Sequence, residues 1–174
     1  SLQFLHSMQK SMEKWKKILK EQINREDIPI KPQVIANAVS EELKENAIVS
    51  VDSGNNTVWA ARFLNMRKGM KFSVSGNLAT MACGLPYAIA AKIAFPDRQS
   101  VAFVGDGGFT MLMGEFATAV QYKLPIKIII LKNNLLGKIR WEQMAFLGNP
   151  EYALQFTPID YAKFAEASGC KGYT

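Results

Sequence analysis

Residues 101–134 constrain the fold more than any other stretch of this 174-residue chain. The stretch opens with Val101-Ala102-Phe103-Val104, continues through Gly105-Asp106-Gly107-Gly108, and then shows helical patterning over residues 109–122. Lys123-Leu124-Pro125 turns the chain into a second apolar run, residues 126–131, which stops at Lys132-Asn133-Asn134. Short apolar runs bounded by glycine or proline read as buried strands, and strands alternating with a helix read as a βαβ unit of a parallel sheet. In such a unit both strand ends lie on one edge of the sheet, the edge at which open α/β sheets bind ligands. One end delivers a carboxylate, Asp106, and the other a carboxamide, Asn133. Both are hard oxygen donors, suited to Mg²⁺ or Ca²⁺. The glycine N–H groups beside them suit the anionic partner such an ion needs, and a diphosphate supplies it. Either motif alone is compatible with an ordinary turn. Spaced by one βαβ unit, the pair reads as a metal-bridged diphosphate site.

Other chemistries have less support. His6 is the only histidine and lies in a polar N-terminal segment without triad partners, so a Ser-His-Asp hydrolase is not expected. Cys83 and Cys170 are too few for a disulfide framework or a cysteine-rich metal site, and Cys83 reads as a small core residue. The net charge of +6 is dispersed rather than gathered into a basic patch interleaved with aromatics, so nucleic acid is not an expected partner. Gly-Asp-Gly-Gly is not the Gly-x-Gly-x-x-Gly of a dinucleotide site, and NAD would leave the second polar strand end unexplained. No run of 18 apolar residues predicts a membrane span, and no signal peptide is recognised, so the cytoplasm is the expected location.

Along the chain, residues 1–26 look helical, with Met8, Met12, Trp15 and Leu19 recurring at spacings of three and four among lysines. This is read as a linking or docking helix in preference to a membrane-surface one. Pro29 and Pro32 mark a boundary, giving a linker over residues 1–28 and a domain over residues 29–174. A helix is predicted from Pro32 to about Glu45, with Val34, Ile35, Ala38, Val39 and Leu43 inward. Residues 47–51 read as a buried strand, followed by the polar loop Asp52-Ser53-Gly54-Asn55-Asn56-Thr57 and a helix over residues 58–64. Asn55 and Asn56 can donate to phosphate oxygens or cap that helix. Residues 71–74 read as an edge strand and residues 81–95 as a buried helix. Residues 138–146 form a predicted helix over the ligand edge, broken at Leu147-Gly148-Asn149-Pro150. Residues 151–156 are expected to be irregular, and Thr157 is expected to cap a last helix ending at Ser168-Gly169. The chain stops where a new strand is expected, which suggests a domain truncated at its C-terminal end and excised from a longer, three-domain parent.

Gly105-Asp106-Gly107, followed after 25 residues by Asn133-Asn134, resembles the thiamine-diphosphate-binding signature. Asp52-Ser53-Gly54, Thr57-Val58-Trp59-Ala60-Ala61-Arg62 and Met81-Ala82-Cys83-Gly84-Leu85-Pro86 resemble the diphosphate-binding domain of the pyruvate oxidase and acetolactate synthase family. Gln121-Tyr122-Lys123-Leu124-Pro125 and Trp141-Glu142-Gln143-Met144 look most like the pyruvate oxidase branch. The resemblance implies a three-layer α/β/α sandwich with a mostly parallel sheet. It implies Mg²⁺ held by Asp106, the Asn133 side chain and the Leu135 carbonyl, with Asn134 as the alternative amide. Gly107 and Gly108 would meet the diphosphate from one side, and Gly54, Asn55 and Asn56 from the other. Ala79 and Met81 would hold the aminopyrimidine, with Met81 beneath the bent cofactor. The implied reaction is decarboxylation of pyruvate or a related 2-oxo acid, with electrons passing to FAD held mainly by another domain of the parent. An acetolactate synthase or other 2-oxo acid decarboxylase, and a non-catalytic domain keeping the fold, are the alternatives. The implied partner is the pyrimidine-binding domain of a neighbouring subunit, which brings the glutamate missing here, in a homodimer or homotetramer. Membrane association is left open only for the oxidase branch. The isolated fragment is expected to be inactive.

Overall fold

The computed structural model describes residues 2–148 and 151–174. Four strands form one all-parallel sheet: β1 (Ile48–Val51), β2 (Lys71–Val74), β3 (Ser100–Gly105) and β4 (Ile126–Leu131), in the order β2-β1-β3-β4. Among the described residues eight helices surround it: α1 (Leu2–Ile23), α2 (Pro32–Glu42), α3 (Asn55–Phe63), α4 (Gly84–Ala94), α5 (Asp106–Met111), α6 (Glu115–Gln121), α7 (Gly137–Leu147) and α8 (Tyr161–Ala167).

The two-residue period of a strand divides the core in two. Val49, Val51, Val101 and Phe103 face one side and pack with Ala36 and Leu43 from α2 and its end, and with Ala60 and Phe63 of α3. Ala102 and Val104 face the other side and pack with Leu85, Ala88 and Ile89 of α4, Phe109 of α5, and Phe116 and Ala119 of α6. This is the expected three-layer sandwich. β1 and β3 are covered on both faces, so their residues are buried without alternation, Ser50 and Ser100 among them. β2 lies on the edge, as its mixed sequence predicts. The C-terminal part of α1 joins the first core layer through Leu19 and Ile23, and Arg62 stacks over Trp15 at 5.0 Å. Further toward its N-terminus α1 leaves Leu5, Met8 and Met12 exposed.

Several elements differ from the sequence reading. The buried face of α2 carries Gln33, Ala36 and Ser40, with Leu43 just beyond, and Ala38 is exposed. Ser40 is inward because its hydroxyl accepts the Asn65 N–H at 2.8 Å. α3 begins at Asn55, so three residues assigned to a loop, Asn55, Asn56 and Thr57, form its first turn. Met81, Ala82 and Cys83 form a turn ahead of α4. Residues 109–122 are two helices rather than one, separated by residues 112–114. The break lets Phe109 and Phe116 face the same layer while Met111 and Leu112 stay exposed. α8 is capped by Asp160, whose Oδ1 accepts the Lys163 N–H at 3.0 Å, and not by Thr157. Residues 151–156 are tied down: Leu135 bridges Gln155 in antiparallel fashion, Leu136 N–H donates to the Leu154 carbonyl, and Leu154 is buried. Asn149 and Pro150, part of the break read after α7, lie outside the described residues.

Candidate active site

The chain leaves β1 through α3 toward β2 and leaves β3 through α5 and α6 toward β4, in opposite directions. The carboxyl ends of β1 and β3 therefore flank a topological switch point, where such sheets open a crevice. A cavity of about 770 Å³ lies there. Gly54, Asn55, Asn56, Ala79, Met81, Asp106, Gly107, Gly108, Asn133 and Leu135 all line it. The structure thus brings together every residue singled out from the sequence, from four segments of chain.

Asp106 is the first residue of α5, because β3 passes directly into that helix without the glycine turn expected of Gly-Asp-Gly-Gly. β3 and β4 pair in parallel with Gly105 opposite Leu131, so the residues after both strands lie side by side. The Asp106 carboxylate joins the two ends. Its Oδ2 accepts the N–H groups of Asn133 at 3.2 Å and Asn134 at 2.6 Å, and its Oδ1 accepts the Gly107 N–H at 3.0 Å. Asp106 is only 4% exposed, and no ion pair among the described residues involves it. The Asn133 Oδ1 accepts the Leu135 N–H at 3.0 Å, and the Leu135 carbonyl accepts the Gly137 N–H at 2.9 Å.

The two asparagines have different work. Asn134 has φ +54°, a left-handed conformation that asparagine tolerates, and its carbonyl accepts the Phe156 N–H at 2.9 Å. It shapes the loop through its backbone. Asn133 donates its backbone N–H to Asp106 and lines the cavity.

Asn56 differs from its sequence reading. Its amide group donates to the Asp52 carbonyl at 2.9 Å and the Phe103 carbonyl at 3.3 Å, tying the ends of β1 and β3 together. That donor is committed within the protein. Asn55, half-buried in the first turn of α3, keeps its amide free of any protein hydrogen bond among the described residues.

Gly107 forms part of the floor. A Cβ there would lie 2.8 Å from the Phe156 ring and 3.3 Å from Met81 Cε, so the backbone is open to the cavity only because no side chain stands between these two. Cys83 is buried beneath the site, and its thiol donates to the Val51 carbonyl at 3.4 Å. Burial first, and then the neighbouring Asp52 charge, push the Cys83 thiol up, away from nucleophilic reactivity. Behind Asp106, the Tyr161 hydroxyl contacts Thr110 Oγ1 at 2.8 Å and donates to the Asp106 carbonyl at 3.3 Å. Sequence reasoning left out Asp52 and Lys138, which also line the cavity. Asp52 carried the same signal as Asp106, an acid directly after a buried strand. Lys138, directly after Gly137, places an exposed cation at the rim.

The donor set fits a divalent cation with an anionic ligand. A buried carboxylate without a protein counter-ion, an amide oxygen and a backbone carbonyl are hard donors from adjacent strand ends. Three groups of one ion's coordination leave room for ligand oxygens, and Gly107, Gly108 and Asn55 line the same cavity, the Gly107 N–H itself being donated to Asp106.

The fold and this donor set define a parallel α/β domain with a cavity at its switch point whose lining suits a polyanion. The chain belongs to the family described as thiamine pyrophosphate enzyme, C-terminal TPP binding domain, which matches residues 52–174. It is 44% identical over 169 residues to the protein YdaP of Bacillus subtilis (strain 168), named provisionally as thiamine pyrophosphate-containing, covering 97% of this chain and 29% of that protein. It is 37% identical over 170 residues to the acetolactate synthase large subunit of Pyropia yezoensis, covering 97% of this chain and 28% of that protein. The same subunit of Porphyra purpurea is 35% identical over 170 residues, with 97% and 28% covered. The chain therefore spans less than a third of the length of these relatives.

Proposed function

We propose that this chain binds thiamine diphosphate through Mg²⁺ in the switch-point cavity, as one domain of an enzyme that decarboxylates a 2-oxo acid and joins the remaining fragment to a second one. The observation that carries the binding is the Asp106 carboxylate held across the ends of β3 and β4 by the backbone N–H groups of Asn133 and Asn134. The acetolactate synthase names among relatives spanning nearly the whole chain support the synthase reaction. The oxidase expectation, with transfer to FAD, keeps the support of Gln121-Tyr122-Lys123-Leu124-Pro125 and Trp141-Glu142-Gln143-Met144 and is the second reading.

In this reading Asp106, Asn133 and the Leu135 carbonyl would hold the ion, whose charge would offset that of the diphosphate. The backbone at Gly107 and Gly108 and the side-chain amide of Asn55 would lie along the phosphates, and Lys138 would add positive charge at the rim. Met81 and Phe156 supply an apolar wall that keeps water from the reacting centre. Bound thiamine diphosphate supplies the electron sink for the pair left when a 2-oxo acid loses carbon dioxide. The chain's own part is to bind, orient and exclude water. The remaining acid–base group is assigned to another domain, contributed by a neighbouring subunit of a dimer or tetramer. Product analysis of the full-length protein with pyruvate tests the reaction. Acetolactate supports the synthase reading, acetate or acetyl phosphate supports the oxidase, and no turnover by a protein that binds the cofactor contradicts both.

A further inference from the structure

We infer that Asp52 is a positioning residue: its carboxylate pins the turn that sets Met81 against the cavity floor, so that it acts on the cofactor through that turn. The part concerning the cofactor rests on the proposed function above.

The turn needs an anchor. Ala79 has φ +38° and Ala82 has φ +70°, conformations that L-residues with a Cβ adopt only where the surroundings enforce them. Three bonds tie residues 79–84 to the end of β1. Ser53 N–H donates to the Thr80 carbonyl at 3.3 Å, and the Cys83 thiol to the Val51 carbonyl at 3.4 Å. The Gly84 N–H donates to Asp52 Oδ1 at 2.6 Å. The first is long and the second uses a weak sulfur donor, so the third is the strongest.

Packing agrees with this role. A Cβ on Gly84 would lie 3.0 Å from Asp52 Oδ1, and one on Gly108 would lie 2.0 Å from Oδ2. The carboxyl group is wedged between the start of α4 and the start of α5, and both helices have glycine where it sits. Asp52 is 1% exposed, its Oδ2 has no hydrogen-bond partner, and no ion pair among the described residues includes it. An apolar side chain would fill the same space without the desolvation of an acid. What only an oxygen provides here is the bond to Gly84, and that bond closes the turn. Met81 Cε lies 3.3 Å from the point where a Gly107 Cβ would be, so a shift of the turn moves a wall of the cavity.

Hydrogen exchange without cofactor tests the anchor. In Asp52→Ala, residues 79–84 should exchange about tenfold faster or more, the loss of one buried hydrogen bond, while β3 stays protected. Asp52→Asn, which keeps an oxygen for Gly84, should stay within about threefold of wild type. An unchanged turn in Asp52→Ala overturns the inference. If Asp52→Ala exchanges throughout, Asp52→Asn decides: wild-type protection of the turn supports the inference and selective loss there overturns it. Titration of Mg²⁺ and thiamine diphosphate tests the link to Met81. Asp52→Ala should bind about tenfold to a hundredfold more weakly, and the loss should shrink to under about threefold on a Met81→Ala background, because coupled sites are not additive. Full additivity overturns that link. A wild-type protein that does not bind the cofactor defeats the proposed function, and the exchange result still judges the anchor by itself.

Discussion

Two aspartates follow two neighbouring parallel strands, Asp52 after β1 and Asp106 after β3, and both are buried. Their surroundings separate them. Asp106 accepts three backbone N–H groups, two of them from the end of β4. Asp52 accepts one such group at short range and leaves its second oxygen against a glycine. Position at a strand end brings a carboxylate to the ligand edge, and the donors around it decide whether it holds an ion or braces a turn.

Asp106→Ala separates the two most sharply. It removes the only anionic ligand assigned to the ion and should weaken Mg²⁺-dependent cofactor binding by about a hundredfold or more while the chain still folds. Calorimetric titration beside thermal unfolding checks this. The unpaired Asn133 and Asn134 N–H groups should cost about 1–3 kcal/mol of stability. A core control comes next: Phe103→Ala, at a fully buried position between β1 and α3, should lose about 3–5 kcal/mol in denaturant unfolding. The asparagines sharpen the comparison further. Asn133→Ala should weaken ion-dependent binding about tenfold with little change in stability. Asn134→Ala, strained at φ +54°, should lose about 1 kcal/mol, with Asn134→Gly recovering most of it.

The smallest effect concerns pH. Burial raises the Asp52 pKa above its ordinary 3.8, and the Gly84 and Ala82 N–H groups and the Cys83 thiol pull it partly back. A carboxyl group whose pKa is higher folded than unfolded binds more protons in the folded state, so its contribution declines as pH rises from the unfolded value through the folded one. Asp52→Asn carries no such loss. The stability of the variant relative to wild type should rise as pH increases above about 4, in unfolding measured across a pH series.

The strands and the meeting of Asp106 and Asn133 at one sheet edge were legible in the sequence because their signals are local. Buried parallel strands show as apolar runs, and Asp106 and Asn133 stand directly after two of them. The two-layer division of the core follows from strand parity alone. Other features depend on contacts between distant parts of the chain. Asp52 meets Gly84 across 32 residues, and nothing near either residue announces the bond. The helix over residues 109–122 looked continuous because Met111, Leu112 and Met113 suit a helix, whereas the break answers where Phe109 and Phe116 must point. Asn55 and Asn56 read as loop, yet the amide of Asn56 is spent across the sheet at Phe103. Leu154 and Gln155 carry no strand pattern, and their pairing is set by the loop at Leu135 and Leu136.

The central claim is that adjacent strand ends hold one ion, which in turn holds the diphosphate. Titration of the full-length protein with thiamine diphosphate, once with Mg²⁺ and once with a chelator, tests it most directly. The account predicts saturable binding that needs the metal and is lost in Asp106→Ala; equal affinity with and without metal, or undiminished metal-dependent affinity in that variant, would contradict it.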